Sequence, residues 1–395
     1  MDTKLLLQSR VMDVVRWPLI VLVVFIHSIP EPAAPVGLSL DGNNLYHFVT
    51  ELISHNIGRI AVPTFFFISG YFFFFKQPDS YDLGTYTANL KKKARTLILP
   101  YLAWNFIYWG LIWAKVNLGA RVGITAYDYE IETLAKPLWA HLIDSLNYPL
   151  WYLRDLICMN LIAPVIFLVS KYLRAWGMAL LALGYCLCLL PEHPGFSSTS
   201  VFFVSLGAYC GMRQLDILAL TFRYRYIIGV LSAILIVVSL FYNQESWAEH
   251  LYRLYIPMGV VTTLQITRSL MCTTSREDTQ MNKVYRYLLG TVFFVYATHG
   301  LHRQLGHRRS RSPGATKRSS CLDTLFPNAY VYNSYLPRGL SSDAQPLPSF
   351  TRTTDRRQIL GKGAKLTERG LNASKSNPYI SEDEHLSQKN ISYCL

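Results

Sequence analysis

Nine apolar stretches, most of them about 20 residues long, run through the first 300 residues and constrain the fold more than any other feature. A helix of about 20 apolar residues matches the hydrocarbon thickness of a bilayer. The stretches lie near 11–29, 57–75, 95–117, 150–170, 174–190, 200–214, 225–243, 250–267 and 286–302, the sixth being short. Asp13 and Arg16 sit inside the first and no small-residue cleavage site follows it, so it reads as a membrane span and not as a signal peptide. Composition agrees. Hydrophobic residues make up 51% of the chain and charged residues 16%, against about 25% charged in soluble domains. A pair of soluble domains, a disulfide scaffold, collagen and a generic disordered chain are excluded. The expected fold is an all-α, polytopic membrane bundle of about nine transmembrane helices.

The distribution of Lys and Arg tests that count. Lys4 and Arg10 precede the first span. Lys76, Lys91, Lys92, Lys93 and Arg95 follow the second, Lys171 and Arg174 the fourth, Arg213, Arg223 and Arg225 the sixth, and Arg268, Arg276, Lys283 and Arg286 the eighth. The intervening loops near 30–56, 191–199 and 244–249 are poor in cations and carry Glu31, Glu51, Glu192 and Glu245. Every second loop is basic, so the N-terminus is expected in the cytoplasm. The long outward loop at 118–149 is positioned to cap a site.

Residues 302–395 form a polar tail with no apolar periodicity, rich in Arg, Ser, Pro, Thr and Asn. From residue 301 on there are 15 Lys and Arg against 7 Asp and Glu, a balance of +8 out of the total of +13. Two readings remain open: a disordered secreted tail, or the product of a reading-frame slip that has removed a last apolar helix. No basic helix or stacking motif accompanies the tail charge, so no nucleic-acid partner is expected. The seven Cys have no Cys-x-x-Cys spacing; buried free thiols are expected, with neither a metal site nor a disulfide frame.

An ionisable side chain inside a span costs about 2.5–3.5 kcal/mol on insertion scales, so each one needs a reason. The first span holds Asp13, Arg16 and His27, with Arg10 at its mouth. At 100° per residue the three lie within about 40° of one stripe, with His27 about 16 Å beyond Arg16 along the axis. The structural reading is an Asp13–Arg16 pair and an interfacial histidine. The functional reading is a path, with cations at the cytoplasmic mouth holding an anionic donor and His27 performing proton or acyl chemistry deeper in.

Arg59 opens the second span at the level of His27, ahead of Pro63, Ser69 and Gly70, while the surrounding Phe runs read as packing or lipid-facing residues. Lys91 and Arg95 are either topology determinants or a phosphate site. Trp151 and Arg154 open the fourth span. Arg154 and Asp155 are neighbours that project in different directions, so mutual pairing is not expected. His299 follows Tyr296 by three residues near the end of the last span.

Taken in order, these residues resemble the membrane-bound acyltransferase family 3, the O-acyltransferases that decorate bacterial polysaccharides. The resemblance covers residues 8–301. It rests on Arg10-x-x-Asp13-x-x-Arg16 with His27-Ser28, Arg59-x-x-x-Pro63-x-Phe65-Phe66-Phe67-x-Ser69-Gly70-Tyr71, Lys91/Arg95 before Leu99-Pro100-Tyr101, Trp151-Tyr152-Leu153 and Tyr296-x-x-His299. Members look like ten-helix proteins, so this chain lacks the tenth. The resemblance implies transfer of an acyl group, commonly acetyl from acetyl-CoA, to a carbohydrate or envelope hydroxyl at the bacterial inner membrane. His27 is then the catalytic candidate. Arg10, Asp13, Arg16, Arg59, Ser69, Lys91, Arg95, Trp151, Arg154 and His299 become donor- or substrate-binding candidates. Acyl-CoA is a co-substrate and no cofactor stays bound. Two other readings are a transporter or flippase for a polar envelope precursor, although no internal repeat supports it, and an inactive truncated acyltransferase.

Overall fold

The structure, a computed structural model, describes residues 3–28, 36–37, 39, 41–75, 82–122, 128–137, 139–245, 247–273 and 279–306. The tail reading from 307 onward lies outside them. The helices are α1 (Thr3–Val14), α2 (Arg16–Ser28), α3 (Gly42–Thr50), α4 (Ala61–Phe74), α5 (Leu83–Lys93), α6 (Leu99–Leu118), α7 (Asp128–Ala135), α8 (Ala140–Ile143), α9 (Trp151–Leu161), α10 (Ala163–Tyr172), α11 (Arg174–Cys186), α12 (Ser198–Met212), α13 (Ile217–Phe222), α14 (Arg225–Phe241), α15 (Ala248–Thr273) and α16 (Thr279–Gly306). Among the described residues there is no strand beyond one isolated His193–Phe196 bridge.

Among the described residues the nine apolar stretches fall mainly on helix, the fifth ending early at Cys186. Three continuous helices are long and apolar enough to cross a membrane: Leu5–Ser28, Asn44–Phe74 and Gly84–Leu118. Tyr148–Leu161 and Ala163–Tyr172 make a fourth if the 64° bend between them is counted within one span. The second helix begins well before the expected position 57, which takes Glu51 out of a loop. Its carboxylate is buried in a π-helical turn, bonded to His55 Nδ1 at 2.9 Å and to Asn243 at 3.2 Å.

Proline sets where these helices break. Pro18, Pro63, Pro100 and Pro164 each lack the N–H that would bond the carbonyl four residues earlier. The irregularities fall just ahead of them: the break at Val15 between α1 and α2, the π and 3-10 turns over Glu51–Ile60, the π turn Ala94–Ile98, and the bend at Ile162. Pro257 does the same inside α15, and the freed Arg253 carbonyl accepts the Cys186 thiol at 3.7 Å.

The core is built on α4 and α12, which approach to backbone contact. A Cβ on Gly70 would stand 2.2 Å from the Val204 oxygen, and one on Gly207 would stand 2.1 Å from the Phe67 oxygen. Small residues at such a crossing let membrane helices gain dispersion contact where lipid offers no hydrophobic drive. Phe65, Phe66 and Phe67 are therefore packing residues, all buried in this core. Of the thiols expected to be buried, Cys210 is; Cys158, Cys186 and Cys188 are half-buried and unbridged.

Within 118–149 the described residues include helices α7 and α8, which pack against α6. Buried Glu130 pairs with Lys115 at 2.6 Å, Tyr101 donates to the Leu142 carbonyl at 2.8 Å, and the Leu146 amide donates to Asn105 Oδ1 at 2.9 Å.

Candidate active site

His27 sits on the last turn of α2, where α16 and the turn Tyr148–Leu150 converge. Its ring centroid is 5.1 Å from that of His299 and 5.4 Å from that of Tyr148, the latter edge-on at 81°. Three contacts hold Tyr148 there. Buried Tyr296 donates its hydroxyl to the Pro149 carbonyl, Asn147 donates to the Ala297 carbonyl at 2.9 Å, and Gly300 leaves the room that a Cβ would take from Asn147 Oδ1, 2.7 Å away. Tyr148 was invisible to the sequence reading, because no local pattern reports a loop residue clamped by a helix 150 positions later.

A second cluster occupies the other end of α2. Arg16 pairs with Asp13 at 3.4 Å across the Val15 break and lies 5.8 Å from the Phe72 ring, its side chain only 13% exposed. Lys93 lies close enough to Arg16 for their charges to interact. It also lines a small pocket with Ser69, Gly70, Phe73 and Asn160. That pocket has about 10 Å³ of free space, room for about one water. Ser69 shares a hydrogen bond with Tyr152 at 3.2 Å. Arg16 Nε and Asn160 Oδ1 are buried without hydrogen-bond partners among the described residues. Two cations near one another, with a single half-exposed carboxylate paired to Arg16, favour an anion.

Lys91, Arg95 and Arg10 are exposed and stand apart from this pocket. The inward-turned cation of the basic run is Lys93. Helical arithmetic would have found it, since Lys93 shares a face with buried Leu97, four residues on.

The remaining cations have protein partners. Arg59 reaches Glu249 at 3.5 Å and stacks 4.1 Å from the Tyr252 ring. Gly58 packs against Ile26, which keeps Arg59 near the level of His27. Trp151 packs on Phe66 at 6.1 Å. The expectation that Arg154 and Asp155 would not pair is corrected: the guanidinium meets Asp155 Oδ1 at 3.0 and 3.2 Å and donates to the Ile143 carbonyl at 2.8 Å. The long Arg stem folds back over the first turn of α9, where fully buried Asp155 also accepts the Gly195 and Ser197 amides.

The sequence reading missed Arg253, buried inside α15 and bonded to Glu249 and Glu192 at 3.1 Å each. Its signal was present, a charge inside an apolar stretch. Among the described residues no group of three or more His, Cys, Asp or Glu could hold a metal ion.

Comparison with known proteins adds two findings. The model of the acyltransferase domain family matches residues 10–311, which take in both clusters. The chain is 29% identical over 277 residues to the succinoglycan biosynthesis protein ExoH of Rhizobium meliloti (strain 1021), covering 67% of this chain and 72% of that protein. No solved structure matches.

Proposed function

Since this chain belongs to the acyltransferase 3 family and is an acyltransferase acting on groups other than aminoacyl groups, we propose that it moves an acyl group, acetyl in the first instance, from acyl-CoA to a hydroxyl of a polysaccharide. The separation of two chemistries along one helix carries this reading. Arg16 and His27 both lie on α2, eleven residues or about 16 Å apart. The Arg16–Lys93 end suits the phosphates of an anionic donor, because guanidinium and ammonium donors gain most against phosphate oxygens. The His27 end offers an imidazole that can take a hydroxyl proton or carry the acyl group. The donor's flexible arm would bridge the two along α2.

The resemblance to a succinoglycan biosynthesis protein supports a polysaccharide acceptor. The alternating basic loops support nine spans in the bacterial inner membrane, a cytoplasmic N-terminus at the donor end and an acceptor at the outer end.

The test is membranes containing the full chain, incubated with acetyl-labelled CoA and purified polysaccharide. Alkali-labile label should appear on the polysaccharide. Release of free acetate with an unlabelled polysaccharide would refute the acceptor assignment.

A further inference from the structure

His299 Nδ1 lies 2.7 Å from the Tyr296 carbonyl oxygen and 3.3 Å from that of Val295. Both neighbours are acceptors, so this nitrogen must carry the proton, and a neutral ring is then left with its lone pair on Nε2. That Nε2 is buried and has no hydrogen-bond partner among the described residues. A buried acceptor left unmade is costly, so it calls for a donor.

The ring standing beside it is His27, with centroids 5.1 Å apart. The two rings are tilted by 33°; an imidazole nitrogen lies about 1.1 Å from its ring centre, so nitrogens turned to face each other at this spacing would stand about 2.9 Å apart, a hydrogen-bond distance. Rotation of the His27 ring about its terminal torsion, which is soft, brings one nitrogen into line.

We propose that His299 is a positioning residue for the acyl transfer. Its Nε2 accepts the N–H of His27 and so fixes the His27 tautomer, with the other His27 nitrogen turned as base toward the acceptor hydroxyl. The Tyr296 carbonyl, His299 and His27 then form one directed chain, with a backbone oxygen in the place where other enzymes use a carboxylate. The fixed end of the chain is held by the Tyr296–Pro149 and Asn147–Ala297 bonds described above.

In the transfer step the acceptor oxygen bonds to the carbonyl carbon of an acyl thioester and its proton passes to His27. The carbon–sulfur bond breaks, and His27 returns the proton to the departing thiolate, which leaves as the thiol. His299 exchanges no net proton; it stabilises the imidazolium that forms on His27.

This inference rests on the reading of His27 as the base, and the experiment separates the two. Initial rates with acetyl-labelled CoA are measured for membranes carrying the native chain, His27→Ala, His299→Ala and His299→Gln, each normalised to folded protein by size exclusion. His299→Ala should lower kcat by about 100-fold with the KM for acetyl-CoA unchanged. His299→Gln, whose amide oxygen can still accept from His27, should recover to within about tenfold of native. A native kcat in His299→Ala, a raised KM at native kcat, or a Gln variant as poor as the Ala variant would each overturn the positioning role. Full activity in His27→Ala would instead overturn the reading beneath it.

Discussion

Replacing Gly207 with alanine should drive α12 away from α4 and disable the donor end of the site without touching a polar residue. The new Cβ would stand 2.1 Å from the Phe67 oxygen and 2.8 Å from the Tyr71 amide nitrogen, both backbone atoms that no rotamer can move. Ordinary contact begins at 3.4 Å, so the backbones must part by about 1.3 Å, the difference of the two distances. Overpacking of this kind costs about 1–3 kcal/mol. Ser69 and Gly70 lie on the same stretch of α4, between Phe67 and Tyr71, and line the pocket with Lys93. A displacement near 1 Å at a binding site costs about 100-fold in rate. The assay pairs thermal unfolding of detergent-purified protein with acyl transfer from labelled acetyl-CoA. Gly110→Ala is the control, since a Cβ there meets nothing within 4 Å. A Gly207→Ala protein with native melting temperature and native rate would refute the claim that the α4–α12 crossing sets the pocket.

Three further outcomes are expected. Arg16→Ala and Lys93→Ala should each raise the KM for acetyl-CoA about tenfold, the scale of one charge-assisted hydrogen bond, while Lys92→Ala on the exposed face leaves it alone; equal KM values for Lys93→Ala and native protein would remove Lys93 from the donor site. Asp155→Asn should cost about 3 kcal/mol, read as a lowered melting temperature, because it strips the counter-charge from Arg154 and presents an amide to the Gly195 or Ser197 N–H; an unchanged melting temperature would contradict it. Within 118–149, burial pushes His141 below its ordinary value of 6.5, against an opposing hydrogen bond with the Thr133 backbone. The folded segment thus favours the neutral ring, the unfolded segment takes up the proton first as pH falls through about 6.5, and stability is lost below that pH. Protease cleavage within 128–146 should rise between pH 7.5 and pH 5.5 in native protein and stay flat in His141→Gln.

The helical bundle was legible because apolar length and loop charge are local properties, and the prolines that break it are local too. Boundaries were less so: Glu51 read as a loop acid because its partners His55 and Asn243 convert a buried carboxylate into an acceptable helix residue, and Asn243 is far away in sequence. Arg16 and His27 could be placed on one stripe from helical periodicity alone. Lys93 could have been chosen over Lys91 by the same arithmetic. Tyr148 could not, since its place depends on Tyr296 reaching the Pro149 carbonyl and Asn147 reaching the Ala297 carbonyl across the bundle. The Arg154–Asp155 pairing was misjudged because the rule that adjacent residues point apart applies to Cβ directions, and a long guanidinium stem escapes it.

The central claim is that His27 carries the acyl transfer and the Arg16–Lys93 end only holds the donor. Its most direct test is single-turnover transfer from saturating acetyl-labelled CoA, comparing native protein, His27→Ala and Arg16→Ala in membranes with equal amounts of inserted chain. The account predicts no transfer by His27→Ala and a near-native rate for Arg16→Ala once donor saturates. Transfer by His27→Ala at the native rate would contradict it.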